Sequence, residues 1–175
     1  MVTSTSDADA ANYGQRLLGH EQRYHKAQAF IQAVRTLWDS WSDDAIIGDR
    51  EKGFYARGER IRHTNIETPW FSSRGPLNIS RPPQGHPVTF QAGGSGPFMA
   101  LAAREADAVF AAEKADLASA QTYYRQLKQQ VTANGREASS LKILPGLQPV
   151  IGRTQKEADD LLAELTRLHH PLATL

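Results

Sequence analysis

The chain has 175 residues, 20 basic and 19 acidic side chains for a formal charge of +1, and no cysteine. That length carries one domain with a real core, and charge spread without a basic stripe argues against a nucleic-acid partner. The absence of thiols excludes disulfides, thiolate catalysis and Cys-based zinc or iron–sulfur sites. Met1 to Asp7 has neither the basic nor the apolar part of a signal peptide, and no apolar run reaches the ~20 residues of a membrane span, so the sequence reads as cytoplasmic.

In chain order, Val2-Thr3-Ser4 reads as the end of a strand. Asp7 to Tyr13 reads as a helical turn closed by Gly14. From Glu21 to about Trp41, Tyr24, Ala27, Phe30, Ile31, Val34, Leu37, Trp38 and Trp41 recur at helical spacing, with Gln28, Gln32, Arg35 and Asp39 on the other side. Residues 42–86 are a long excursion, charged and punctuated by Gly and Pro, with room for short hairpins. Long loops in compact domains are more often functional than idle.

Pro87 to Ala92 is short, apolar and β-prone, as a parallel-sheet strand should be. Gly93, Gly94 and Gly96 permit a sharp turn and close backbone approach. Ser95 adds a hydroxyl, and Pro97 suits the first turn of a helix running through Phe98 to Ala103. Unpaired N–H groups and the positive end of the helix dipole make such a start a place for a phosphate. A βα connection that binds nothing would look the same locally. The glycines do not fit the G-x-G-x-x-G dinucleotide fingerprint.

Asp107 to Ala111 is a second strand. Asp116 opens a helix with Leu117, Ala120, Tyr124, Leu127 and Val131 on one face, ended by Asn134-Gly135. Leu141 to Gly152 is a third apolar strand region, bent by its prolines. Thr154 to Glu157 fits a capping box before a helix carrying Ala158, Leu161, Leu162, Leu165 and Leu168, which stops near Pro171. From Pro87 the order is therefore β-α-β-α-β-α, which argues for parallel strands with helices packed outside them.

Other chemistry is weakly supported. His20 and His25 sit five apart, ~140° around a helix, so they miss the H-E-x-x-H zinc spacing. His169-His170 reads as solvated, and His63 and His86 have no evident partners. Asp43-Asp44 and Asp159-Asp160 read as surface charge.

Several stretches together resemble one family. They are Val2-Thr3-Ser4 with Ala10 to Gly14, Glu21 to Tyr24 and Leu37 to Trp41; then Arg74 to Asn78, Arg81 to Gly85 and Pro87 to Ser95; and finally Ala106 to Phe110 and Leu141 to Gly152. The joint pattern resembles the nitrilotriacetate and dibenzothiophene-sulfone monooxygenase group of the bacterial luciferase-like flavin monooxygenases, across essentially the whole chain. The resemblance implies an α/β fold, part of a (β/α)8 TIM barrel of about four βα units, in one partial domain over residues 1–175 with 42–86 as an insertion. It implies a two-component enzyme that uses reduced FMN, supplied by a partner flavin reductase, and O2 to oxygenate a small organic substrate through a flavin peroxide.

The same resemblance sets Val2, Thr3 and Ser4 beside the flavin. It makes Tyr24 the tyrosine that reaches the flavin phosphate, and Gly94, Ser95 and Gly96 the turn that holds it. Tyr24 by itself would read as core. The insertion at 42–86 would shape the substrate pocket. No metal is implied, the catalytic residues stay unassigned, and a full-length form is expected to be a homo-oligomer. A complete barrel needs about 250 residues, so the chain reads as part of a longer one, starting inside a strand, with Met1 where the family has an aliphatic residue. Two other readings stay open: a deazaflavin-dependent reductase of the same superfamily, and a non-catalytic truncated product.

Overall fold

The computed structural model describes residues 3–112 and 116–168. They group into two compact units, Met1–Leu144 and Pro145–Leu175. The first unit opens differently from the expected strand end. Thr3 and Ser4 are irregular, and Val2 lies outside the described residues. The Ser4 hydroxyl donates to the Asp9 carboxylate at 3.1 Å and accepts the Ser6 N–H at 3.2 Å. Short polar side chains that satisfy the local backbone in this way compete with a strand ladder. They lead into α1 (Asp7–Ala11), where the Ser6 hydroxyl accepts the Asp9 N–H at 3.2 Å. Gly14, at φ +65°, closes the turn that follows.

Helix α2 (His20–Trp38) ends three residues before the expected Trp41. The Ser40 hydroxyl donates to the Leu37 carbonyl at 2.6 Å, which satisfies a carbonyl the ended ladder leaves open. Ala27 and Ile31 are buried, whereas Phe30 is half exposed.

The 42–86 excursion is ordered. It carries two antiparallel hairpins, β1 (Ile46–Asp49) with β2 (Phe54–Ala56), and β3 (Ile66–Glu67) with β4 (Ser72–Ser73). It is fastened to the end of α2. The Trp41 indole N–H donates to the Leu77 carbonyl at 2.8 Å, and the Leu77 N–H donates to the Ser40 hydroxyl at 3.2 Å.

Next comes a three-stranded sheet in the order β5 (Phe90–Ala92), β6 (Ala108–Ala111), β7 (Lys142–Pro145). β5 and β6 are parallel, with Phe90 opposite Ala108 and Ala92 opposite Phe110. Helices α3 (Gly96–Glu105) and α4 (Leu117–Ala133) make the connections, as the alternating pattern predicts. Residues alternate across the sheet. Val109 and Ala111 join Phe98, Met99, Ala102, Leu127, Val131 and Leu141 in the main core, with Ile143 packed against it. Phe90, Phe110 and Leu144 are 49%, 50% and 44% exposed, so the face turned away from those helices is apolar and open.

The buried face of α4 differs from the expected one by a residue. Tyr123 is buried while Tyr124 and Leu117 are exposed. Tyr123 and Tyr124 both fall within helical reach of Leu127 and Val131, so periodicity does not separate them. The Tyr123 hydroxyl does, by donating to the Gly93 carbonyl at 3.4 Å. Asp116 caps the helix by accepting the Ser119 N–H at 2.7 Å.

The expected strand region Leu141–Gly152 is pairing-competent only as far as Pro145. Pro145 and Pro149 have no N–H to give a ladder. The second unit holds α5 (Gln155–Leu168). Thr154 accepts the Glu157 N–H at 3.2 Å, as a capping box requires, but the Glu157 carboxylate takes the Arg153 N–H at 2.7 Å, one residue before the expected partner. His169, His170 and Pro171 lie outside the described residues.

Candidate functional site

The site is built where two helices begin. α2 and α3 lie side by side and run the same way. Tyr24 meets Ser95 at one end, Arg104 donates to Gln28 at 2.8 Å further along, and Arg35 pairs with Glu105 at the other end. Leu101 packs with Ala27 and Ile31 between them. Parallel neighbours bring both positive dipole ends to the Tyr24–Ser95 end.

The turn into α3 follows from its sequence. Gly93 has φ +152°, and a Cβ there would come within 2.8 Å of the Phe98 ring, so only glycine fits. Ser95 is extended and caps α3, its hydroxyl accepting the Phe98 N–H at 3.3 Å and its carbonyl the Met99 N–H at 2.9 Å. Pro97 occupies the first turn, where an N–H has no carbonyl to reach. Gly96 opens the helix, and a Cβ there would meet nothing within 4 Å. Gly94 is exposed between them.

Tyr24 packs its ring against both apolar clusters and leaves its hydroxyl oxygen 3.4 Å from Ser95 Oγ. Both contacts of the Ser95 hydroxyl are at the long end of hydrogen bonding. A stronger acceptor, such as a phosphate oxygen, can therefore recruit Tyr24, Ser95 and the free first-turn N–H of Gly96 together. Below lies a groove of about 230 Å³ whose walls include Tyr24, Pro97 and Leu101.

The remaining sequence-derived residues lie elsewhere. Thr3 and Ser4 border a separate hollow of about 520 Å³ with Arg23 and Lys26, and neither Tyr24 nor Ser95 forms part of its walls. Val2 is outside the described residues. Two neighbours of the turn were not legible as such in the sequence. His20 stands edge-on to the Tyr24 ring at 5.1 Å, four residues earlier on α2, a spacing the failed zinc motif obscured. Tyr123 reaches Gly93 from α4, and burial pushes its phenol above the usual tyrosine range, keeping it a neutral donor. Among the described residues no cluster of three His, Cys, Asp or Glu is placed to hold a metal ion, and no helix is long and apolar enough to cross a membrane.

Comparisons with known proteins agree with this architecture. The chain is 41% identical over 172 residues to N-acetyl-S-(2-succino)cysteine monooxygenase of Bacillus subtilis (strain 168), covering 98% of this chain and 39% of the relative. It is 42% identical over 159 residues to nitrilotriacetate monooxygenase component A of Aminobacter aminovorans, covering 90% and 35% respectively. The structure of riboflavin lyase (RcaE) with modified FMN and riboflavin superposes with a TM-score of 0.82 at 31% identity, covering 92% of this chain and 36% of that one. The chain thus spans between a third and two-fifths of the length of the proteins it matches. The α/β fold is that of the luciferase-like barrels, and with a family match over residues 1–174 the chain belongs to the luciferase-like monooxygenases.

Proposed function

We propose that this chain carries the phosphate-binding end of an FMN site in a two-component flavin-dependent monooxygenase. The observation that carries the reading is the meeting of Ser95 and Tyr24, 71 residues apart, at 3.4 Å over the start of α3. The residues fit the group. Gly96 leaves open space where a side chain would stand, and the two hydroxyls are only loosely engaged with each other. Ser95 and Tyr24 would donate to phosphate oxygens, and Gly94 and Gly96 would let the backbone approach. Thr3 and Ser4, with Val2, would stand beside the flavin.

Reduced FMN supplies the chemistry that activates O2 for oxygenating a small organic substrate. The protein's own part is to place the flavin and exclude water. Provision of reduced flavin by a partner reductase is supported by the similarity to a protein named as component A of its monooxygenase. The test is a fluorescence titration with FMN and with riboflavin. Ser95→Ala and Tyr24→Phe should each remove a charge-assisted hydrogen bond worth roughly 1.5–3 kcal/mol, lowering FMN affinity and leaving riboflavin affinity unaltered. Equal affinity of wild type and both variants for FMN overturns the assignment.

A further inference from the structure

We propose that the trough along α2 is a binding site for an organic anion with a flat apolar body, which would be the substrate class of this protein; the substrate role rests on the function proposed above. Two hollows, of about 520 and 390 Å³, share Gln15, Lys26 and Phe30 as walls, so they adjoin along one side of α2. Both are largely apolar, and they differ in how many charged side chains they carry.

The first hollow sets three cations into a wall that also holds Tyr13, Leu17 and Leu18. Arg16, Arg23 and Lys26 face it, against the single carboxylate of Asp9, which already accepts the Ser4 hydroxyl. Arg23 donates one guanidinium N–H to the Leu18 carbonyl at 3.0 Å, while its Nε is buried with no acceptor among the described residues. Lys26 holds Gln15 at 2.6 Å where the two hollows join, so its ammonium is placed at the boundary.

The second hollow is aromatic and aliphatic. The 42–86 excursion supplies Trp70 and Phe71, and α2 supplies Val34 and Leu37. Phe30 and Phe71 meet edge-on at 6.2 Å, a geometry that leaves ring faces for a planar guest. An inorganic anion would leave this half empty, and a neutral hydrocarbon would leave the cations unused. Thr3 and Ser4 border the cationic half, which puts the anionic end of a guest beside the residues assigned to the flavin.

Two probes with one apolar skeleton test this: 8-anilinonaphthalene-1-sulfonate and its uncharged analogue N-phenyl-1-naphthylamine, titrated by fluorescence without flavin. Lys26→Glu and Arg16→Glu should each weaken the sulfonate about tenfold, the loss of a charge-assisted contact, with the neutral probe unchanged. Phe71→Ala should weaken both. Arg16 is exposed, so its reversal leaves the fold intact even if changes at Lys26 or Phe71 do not. Phe110→Ser, on the open sheet face, should leave sulfonate affinity as it was. Sulfonate binding indifferent to both charge reversals, or abolished by Phe110→Ser, overturns the proposal. The titration contains no flavin, so its failure is distinct from a failure of the FMN–riboflavin comparison.

Discussion

Asp39 Oδ1 lies 2.8 Å from His86 Nε2, joining the end of α2 to the approach of β5 across 47 residues. The same oxygen accepts from Arg81 Nε at 3.1 Å, and Arg81 also reaches Asp43 at 2.7 Å. Trp38 lies against the His86 ring, with centroids 5.5 Å apart. Gly85, at φ +76°, leaves room for the Arg81 guanidinium, which a Cβ would approach to 2.9 Å. The excursion that carries Trp70 and Phe71 is thus tied down at both ends through one carboxylate.

That node predicts acid sensitivity. Burial pushes the Asp39 carboxyl up, but the His86 and Arg81 hydrogen bonds and charges outweigh it and hold the group below the usual aspartate range. A depressed folded-state pKa means the contribution is complete above about pH 4, the unfolded value, and is lost as pH falls through the folded one. Asp39 is partly exposed, so solvent screening reduces its worth. Asp39→Asn should cost about 1 kcal/mol at pH 7 and almost nothing once the carboxyl is protonated in the folded state too. Urea denaturation at pH 7 and across the acid range checks this; a cost that stays constant as pH falls would show that the Asp39 charge does not hold the node together.

The turn separates folding from binding at neighbouring glycines. Gly93→Ala should destabilise the chain, because the Cβ presses on Phe98 and the φ disfavours any other residue. The cost should be about 1–3 kcal/mol. Gly96→Ala meets open space, so its thermal midpoint should stay close to wild type while FMN affinity falls. Normal FMN affinity in Gly96→Ala would mean the phosphate does not lie at that position.

Ser95 and Tyr24 should couple. Each hydroxyl touches the other in the free protein, and both are assigned to one phosphate. Ser95→Ala with Tyr24→Phe should therefore cost less or more than the sum of the single changes, by about 0.5 kcal/mol or above. A double-mutant cycle on FMN affinity measures it. Strict additivity would indicate separate binding environments for the two groups.

Much of this was legible in the sequence where one short-range rule decides the outcome. The glycine turn, the helix start at Asp116 and the β-α alternation need only local chemistry. What was not legible depends on partners far along the chain. Nothing near Tyr123 in sequence says it, rather than Tyr124, will find the Gly93 carbonyl. The order within 42–86 comes from Asp39, Ser40 and Trp41, which lie just past the end of α2 and outside the excursion. Thr3 and Ser4 read as strand by composition, yet the Ser4 hydroxyl engages the Ser6 N–H and the Asp9 carboxylate beside the Ser6 cap of α1.

The open face of the sheet predicts association. Phe110 on β6 and Leu144 on β7 are 50% and 44% exposed, on the side opposite the core formed with α3 and α4. β5 and β7 are the outer strands of the three, so each also presents a backbone edge. Contiguous apolar surface of this kind is seldom left in water. The 175-residue chain should therefore elute from size-exclusion as a concentration-dependent species larger than a monomer. Phe110→Lys should shift it towards the monomer by placing a charge in the middle strand's open face, with little effect on the helix-facing core that holds Val109. The measurement is sedimentation velocity over a range of concentrations for both proteins. A wild-type chain that stays monomeric throughout, with a sharp cooperative unfolding transition, would show that this face is compatible with solvent and needs no covering partner.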